Sequence, residues 1–203
     1  ARTAVIDVTD RALTERWVRE ADRASPLDLV VANAGISAGT SGAGGIFEQT
    51  AETIRRIFAV NVDGTLNTVL PAAQMMRDRG RGQIAIVSSL ASFFGGPGAG
   101  AYCATKAAQR LFGEALRREL QTEGVEVSVI CPGFVRSGMT AENPFYMPLL
   151  MDADRAARII RRGLARNRGR IAFPGPMYAL VRLTAALPVS FLDALSRRLP
   201  RKR

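Results

Sequence analysis

Short apolar runs alternate along this chain with segments of helical periodicity, and this alternation restricts the fold more than any other feature. Residues 27–32, 83–88 and 125–131 are apolar runs of strand length, and segments long enough for a crossover helix separate them. Near-continuous apolar runs are typical of strands buried on both faces of a parallel sheet. The sequence therefore predicts an α/β fold with a doubly wound parallel sheet, in three α/β/α layers and a single domain over residues 1–203.

The other segments complete this outline. Further strands are predicted at residues 3–8 and, as an edge strand, at residues 170–173. Helices are predicted at residues 10–24, 51–77 with Thr50 as the N-cap, 102–122 and 152–167. The glycine-rich residues 35–45 are interpreted as a connection, and the tail at residues 174–203 is expected to cover a substrate pocket or a subunit contact.

The chain contains no histidine, which excludes a Ser-His-Asp triad, a histidine-ligated metal and an imidazole general base. The two cysteines, Cys103 and Cys131, are far apart and lie in no metal-binding pattern, so no metal site is expected and a reducing cytoplasm is the expected location. Acid and base chemistry must therefore use other side chains.

The formal net charge of +10 raises the question of a polyanionic partner. The arginines are spread over helical patterns without interleaved aromatic residues, which favours solvated helix faces over a nucleic-acid surface. No run of about 18 apolar residues predicts a spanning helix. Contact of the basic tail with a membrane surface stays open, although pocket closure or a subunit contact is the preferred interpretation.

Three side chains form the first candidate site. Tyr102 and Lys106 lie four residues apart on a predicted helix, so both can reach the same ligand, and Ser89 ends a predicted strand thirteen residues earlier. A nearby ammonium group is expected to lower the pKa of the Tyr102 phenol toward that of a working general acid. A serine hydroxyl at the carboxyl end of a strand can polarise a substrate oxygen in the crevice where open α/β sheets bind ligands.

A tyrosine and a lysine at this spacing also occur by chance, so the order of the other motifs matters. Asn33-Ala34-Gly35 follows one predicted strand and Pro132-Gly133 ends another, while Asn61 lies in the helix between Gly35 and Ser89. Together these motifs resemble the short-chain dehydrogenase/reductase family, from its third strand to its C-terminus.

The resemblance implies roles for individual residues. Asn61, Ser89, Tyr102 and Lys106 match the catalytic set, with Asn61 holding a water in the proton relay and Lys106 also binding the cofactor ribose. Cofactor contacts are implied for Asp7, Val8, Asn33, Ala34, Gly35, Tyr102, Lys106, Pro132, Gly133, Val135 and Ser137. The substrate is expected to meet Ser89, Tyr102, Phe93, Phe94 and Phe134, with residues 139–150 as a wall and lid.

By this resemblance the chain is expected to interconvert a carbonyl and a secondary alcohol by hydride transfer with NAD or NADP, on an apolar substrate. The basic composition favours NADP slightly. A homodimer or homotetramer, formed through the helices that begin near Ala51 and Tyr102, is also implied.

The family's first strand, glycine-rich turn and helix are not found in this sequence. In the strand order 3-2-1-4-5-6, two strands would be lacking between residues 3–8 and 27–32, so we expect an N-terminally incomplete chain that lacks the first β-α-β unit. Three alternatives stay open: a non-catalytic nucleotide sensor on the same fold, an inactive fragment, and a basic module that binds a membrane or nucleic acid.

Overall fold

The computed structural model describes residues 2–37, 50–96, 98–141 and 146–188, together with residues 190 and 192. Four parallel strands form one sheet in the order β1-β2-β3-β4, namely β1 (Leu29–Ala32), β2 (Gly82–Val87), β3 (Val125–Pro132) and β4 (Arg170–Phe173). Each strand leads to the next through helical segments, as parallel pairing requires. The predicted parallel α/β sheet is confirmed.

The helices are α1 (Arg11–Ala24), α2 (Ala51–Phe58), α3 (Gly64–Asp78), α4 (Gly100–Leu120), α5 (Gly138–Ala141), α6 (Ala153–Leu164) and α7 (Gly175–Ala185). The predicted N-cap at Thr50 is confirmed, because its hydroxyl accepts a hydrogen bond from the Thr53 N–H at 3.1 Å. The predicted helix over residues 51–77 is interrupted by a π-helical turn at Ala59–Asp63.

Two helical layers cover the sheet. On one face, α1, α3 and α4 pack over Val30, Ile84, Ile86 and Val127. On the other face, α6 packs over Ala85, Ile130, Ile171 and Phe173. The alternation of side chains along each strand produces this division, and it confirms the predicted three-layer architecture.

Residues 3–8 do not form the predicted strand. They lack strand assignment and end in a turn at Val8 and Thr9, and the Val5 side chain is fully exposed. A strand requires a hydrogen-bonded neighbour, and within the described residues the sheet consists of β1 to β4, with β1 paired only to β2. Residues 3–8 thus have the apolar pattern of a strand but pair with none of the strands in the described residues.

Both cysteines are free, buried thiols in the part of the chain that the structure describes.

None of the helices in the described residues combines the length and the apolar character needed to cross a membrane.

Candidate active site

The carboxyl ends of the first three strands bring the predicted motifs to one edge of the sheet. Asn33-Ala34-Gly35 follows β1, Ser88 and Ser89 follow β2, and Pro132-Gly133 closes β3. Because these strands are parallel and in register, their carboxyl ends lie side by side. This is the edge where open α/β sheets bind ligands.

Lys106 is a buried cation at this edge. Its side chain leaves α4 next to Tyr102, with Nζ 5.6 Å from the centre of the phenol ring, and Nζ donates a hydrogen bond to the Val87 carbonyl at 2.9 Å. The residue is 4% exposed, and this burial lowers the pKa of the ammonium group to about 8. Ser88 secures the helix locally, since its hydroxyl donates to the Lys106 carbonyl at 2.7 Å.

Ser89 links β2, β3 and α4. Its hydroxyl donates to the Pro132 carbonyl at 3.4 Å and accepts from the Ala91 N–H at 3.1 Å, and it lies close enough to the Tyr102 phenol to lower the pKa of that phenol. The Ala91 contact makes Ser89 the N-cap of a short 3₁₀ helix, Leu90–Phe93. Three elements therefore determine the position of one hydroxyl group.

The electrostatics of Tyr102 differ from the prediction. Burial raises the pKa of the phenol above its usual value, the hydrogen bond with Ser89 lowers it, and Cys103 raises it further. Lys106 is not among the causes of this shift, and its ammonium group donates a hydrogen bond to the Val87 carbonyl instead. The expectation that Lys106 lowers the Tyr102 pKa is therefore wrong for this arrangement, and the phenol is held in its proton-donating form.

Asn61 lies in the π-helical turn and is fully buried. Its amide forms two hydrogen bonds with the Ile36 backbone, at 2.8 and 3.0 Å, and a third to the Thr105 hydroxyl at 3.0 Å. The backbone carbonyl of Asn61 accepts hydrogen bonds from the Gln109 side-chain amide and the Thr65 hydroxyl, each at 2.7 Å. π turns concentrate at functional sites. This one fastens the segment after β1 to α4, while the water-holding role of Asn61 stays a prediction.

Sequence reasoning missed Thr105 and Gln109 as parts of this arrangement. Both are buried on α4, and they follow Tyr102 by three and seven residues. That helical spacing was the available signal, because residues three, four and seven apart share one helix face.

Gly35 leaves a space between Asn61 and Lys106. A Cβ atom at this position would stand 3.3 Å from both Asn61 Oδ1 and Lys106 Nζ. A larger residue would therefore have to displace one of these groups by a few tenths of an ångström. A buried ammonium group beside a phenol fits a ligand that carries hydroxyl groups, such as the ribose of a dinucleotide.

Asp7 and Val8 lie beside the same π turn. The Asp7 carboxylate accepts from the Thr9 N–H and pairs with Arg56 at 2.9 Å, and these contacts lower its pKa to about 2. Val8 covers Gly64, where a Cβ atom would stand 2.6 Å from Val8 Cγ2. The structure thus brings Asp7 and Val8, for which cofactor contacts are predicted, next to the Asn61 segment.

The residues after β3 continue along this edge. The Gly133 N–H donates to the Phe173 carbonyl at 2.7 Å, and Val135 forms a bridge with Met151. Ser137 is exposed, and its N–H donates to the Thr140 hydroxyl at 2.9 Å. Phe134 is partly buried and, through its carbonyl, accepts from the Met151 N–H at 3.0 Å.

Phe93 and Phe94 have different surroundings. The Phe94 side chain is 44% exposed, as a substrate wall requires. The Phe93 ring instead lies against Arg110, Arg170 and Tyr178, which differs from the apolar wall predicted for it. Residues 38–45 and 142–145, which belong to the predicted connection and lid, lie outside the described residues, as do residues 189, 191 and 193–203 of the tail.

Comparison with known proteins identifies the family. The sequence model of the short chain dehydrogenase family matches residues 1–145. This chain belongs to the short-chain dehydrogenase family. An uncharacterized oxidoreductase of Myxococcus xanthus is 40% identical over 195 residues, which cover 96% of this chain and 76% of that protein. As a member of this family, the chain is an oxidoreductase.

Two further short-chain dehydrogenase matches are informative. A 3alpha-hydroxysteroid dehydrogenase of Mediterraneibacter gnavus is 34% identical over 118 residues, which cover 58% of this chain and 46% of that protein. The fold is similar to that of a short-chain dehydrogenase from Sphingobium yanoikuyae in complex with NADPH, with a TM-score of 0.75 at 23% identity. That likeness covers 97% of this chain and 75% of the other.

Proposed function

We propose that this chain interconverts a carbonyl and a secondary alcohol with a nicotinamide cofactor, and that Tyr102 is its proton donor. The observation that carries the proposal is the joint position of Tyr102, Ser89 and Lys106 at the carboxyl edge of the sheet. The Ser89 hydroxyl lies close enough to the phenol to lower the pKa of Tyr102, and Lys106 Nζ lies 5.6 Å from the phenol ring. A proton donor, a polarising hydroxyl and a cation then surround one reacting oxygen.

The residues would divide the work as follows. Lys106 uses one ammonium hydrogen on Val87, and the others would bind the ribose hydroxyls. When bound, the nicotinamide cofactor supplies the hydride for carbonyl reduction and accepts it in the reverse direction. Tyr102 donates its proton to the substrate oxygen, and Ser89 donates a hydrogen bond to the same oxygen as negative charge develops there.

We propose NADP as the preferred cofactor and a bulky apolar molecule as the substrate. The +10 charge supports a cofactor with an additional phosphate group. Phe94, Met139 and Leu149 expose large apolar side chains on the segments that follow β2 and β3. The relative named as a 3alpha-hydroxysteroid dehydrogenase supports a substrate of this class.

The test is NADPH- and NADH-dependent reduction of a ketone series that extends from small polar to bulky apolar compounds. Tyr102→Phe should lower kcat by ~10²-fold or more, because loss of a positioned general acid costs ~10²–10⁴-fold. NADPH binding, followed by fluorescence, should persist in this variant.

Thr122→Val removes an exposed hydroxyl just beyond the other end of α4 and is the matched control. Unchanged turnover in Tyr102→Phe would refute the assigned role. Saturable NADPH binding without reduction of any ketone would favour the nucleotide-sensing alternative.

A further inference from the structure

The short 3₁₀ helix that follows Ser89 is restrained by residues that lie outside the candidate active site. Ser89 caps this helix at Leu90–Phe93, so any displacement of the helix also moves the Ser89 hydroxyl. Leu90 and Ser92 are buried, at 3% and 4% exposure. The position of Ser89 therefore depends on the contacts made by the last residue of the helix, Phe93.

Phe93 is enclosed by charged and aromatic groups. The Arg110 guanidinium lies 4.5 Å from the centre of its ring, and the Arg170 guanidinium lies 5.3 Å from the same point. Tyr178 packs edge-on at 5.5 Å, with 63° between the ring planes. Arg110 also donates to the Ser92 carbonyl at 3.4 Å. Cations near a ring are attracted by its quadrupole, so these contacts restrain both the ring and the backbone before it.

One carboxylate holds both guanidinium groups in place. Glu114 pairs with Arg110 at 3.4 Å and accepts a hydrogen bond from Arg170 Nε at 2.9 Å. Arg170 also donates to the Tyr178 hydroxyl at 2.9 Å. We call these residues, namely Phe93, Arg110, Glu114, Arg170 and Tyr178, the Phe93 cluster. Removal of Glu114 would leave two guanidinium groups beside one ring without their shared counter-charge.

The cluster connects the site to the C-terminal helix. Tyr102, Lys106, Arg110 and Glu114 follow one another at intervals of four residues on α4. Such a row turns by roughly 40° at each step, since a helix has ~3.6 residues per turn. Its first two members therefore face the crevice, and its last two reach Phe93 and β4. Arg170 on β4 and Tyr178 on α7 complete the connection.

We propose that the Phe93 cluster positions the Ser89 hydroxyl for catalysis, with Glu114 and Tyr178 as positioning residues that never touch the substrate. This inference rests on the proposed function of Ser89 and extends it to α7. An ionic network in a partly buried position stabilises a fold weakly, whereas it can impose one geometry on its neighbours. A catalytic group displaced by about 1 Å can lose ~10²-fold in rate, so a remote network of this kind has a measurable effect.

The first experiment compares Glu114→Gln and Tyr178→Phe with Glu119→Gln, which alters an exposed carboxylate on the same helix. Both cluster variants should lower kcat for ketone reduction by about tenfold or more, with the KM for NADPH unchanged. Glu119→Gln should behave as the wild type. Wild-type kcat in both cluster variants, or an equal loss in Glu119→Gln, would overturn the proposal.

A double-mutant cycle separates positioning from general damage. In a Ser89→Ala background, Glu114→Gln should cause no further loss of kcat, because the group through which it acts is already absent. Losses that multiply in the double variant would contradict a role through Ser89.

A second readout does not require turnover. The Ser89 hydrogen bond lowers the pKa of Tyr102, so displacement of Ser89 should raise that pKa. Titration of ¹³C-labelled tyrosine by NMR, assigned with Tyr102→Phe, should show this increase in Ser89→Ala and Glu114→Gln and not in Glu119→Gln. If the wild type reduces no ketone, the proposed function fails, and this titration still decides whether the cluster positions Ser89. An unchanged Tyr102 titration in Glu114→Gln would refute the positioning.

Discussion

At the scale of single residues, the site depends on polar groups that are buried and must therefore be hydrogen-bonded. Asn61 satisfies its amide through Ile36 and Thr105, and Lys106 donates to Val87. A buried ammonium group carries a desolvation cost even with one such bond. The proposed function therefore requires a charged side chain whose burial lowers the stability of the fold.

This opposition predicts the pH dependence of stability. Burial lowers the Lys106 pKa from 10.5 to about 8, a difference that corresponds to a cost of about 3 kcal/mol when the residue is charged. Between these two pH values the unfolded chain holds a proton that the folded chain has released, so the Lys106 contribution to stability rises with pH. Lys106→Met should then be more stable than the wild type at pH 7, and this advantage should shrink toward pH 10.5.

Urea unfolding at pH 7 and pH 10 measures this difference. Arg118→Met, which removes an exposed cation from the same helix, should show no comparable change with pH. A constant difference between Lys106→Met and the wild type at both pH values would exclude a cost from the buried charge. The variant should also lose NADPH affinity, since Lys106 is proposed to bind the ribose.

At the scale of elements, the placement of α4 on the sheet depends on how closely the helix approaches β3. Gly113 allows that approach, since a Cβ atom there would stand 2.6 Å from Val129 Cγ2 and 3.1 Å from Ile86 Cδ1. Both contacted side chains are fully buried. The same helix carries Tyr102 and Lys106, so its distance from the sheet also determines the geometry of the site.

Gly113→Ala should therefore be destabilising. Alanine improves helix propensity by roughly 0.8–1 kcal/mol, but overpacking of a close-packed core costs typically 1–3 kcal/mol. We expect the overpacking to dominate and the melting temperature to fall, as measured by circular dichroism. Gly175→Ala, at the open first position of α7, should be neutral or slightly stabilising because no atom lies within 4 Å. A stabilised Gly113→Ala would show that α4 moves away from β3 at little cost.

At the scale of the whole molecule, the sheet has an apolar edge. Within the described residues β1 pairs only with β2, and Leu29 and Val31 on one of its faces are 42% and 45% exposed. Unpaired backbone beside exposed apolar side chains is a template for pairing with another chain. The purified chain should therefore self-associate through β1, and the associated fraction should increase with protein concentration.

Val31→Lys should reduce this association, because a charge on an edge strand disfavours pairing. Leu183→Lys introduces the same charge at a leucine that is 64% exposed on α7, a helix that contacts β4 at the opposite side of the sheet from β1, so it serves as the control. Light scattering after size-exclusion chromatography, over a range of concentrations, measures the effect. Equal association in Val31→Lys and the wild type would place the contact elsewhere.

The sequence by itself determined the elements whose signal is local. The apolar runs predicted β1 to β4, Thr50 predicted the start of α2, and the spacing of Ser89, Tyr102 and Lys106 predicted which side chains meet. These features depend on periodicity, capping and strand ends, which are properties of neighbouring residues.

Only the tertiary structure decided the features that depend on distant partners. Residues 3–8 have a strand pattern and no strand, because a strand needs a paired neighbour. The pKa of Tyr102 is raised rather than lowered, because burial of the phenol outweighs the lowering effect of Ser89. Phe93 lies between two arginines and not in an apolar wall, because β4 and α7 bring Arg170 and Tyr178 to it. Burial and long-range charge arise only from packing, so residue spacing could not specify them.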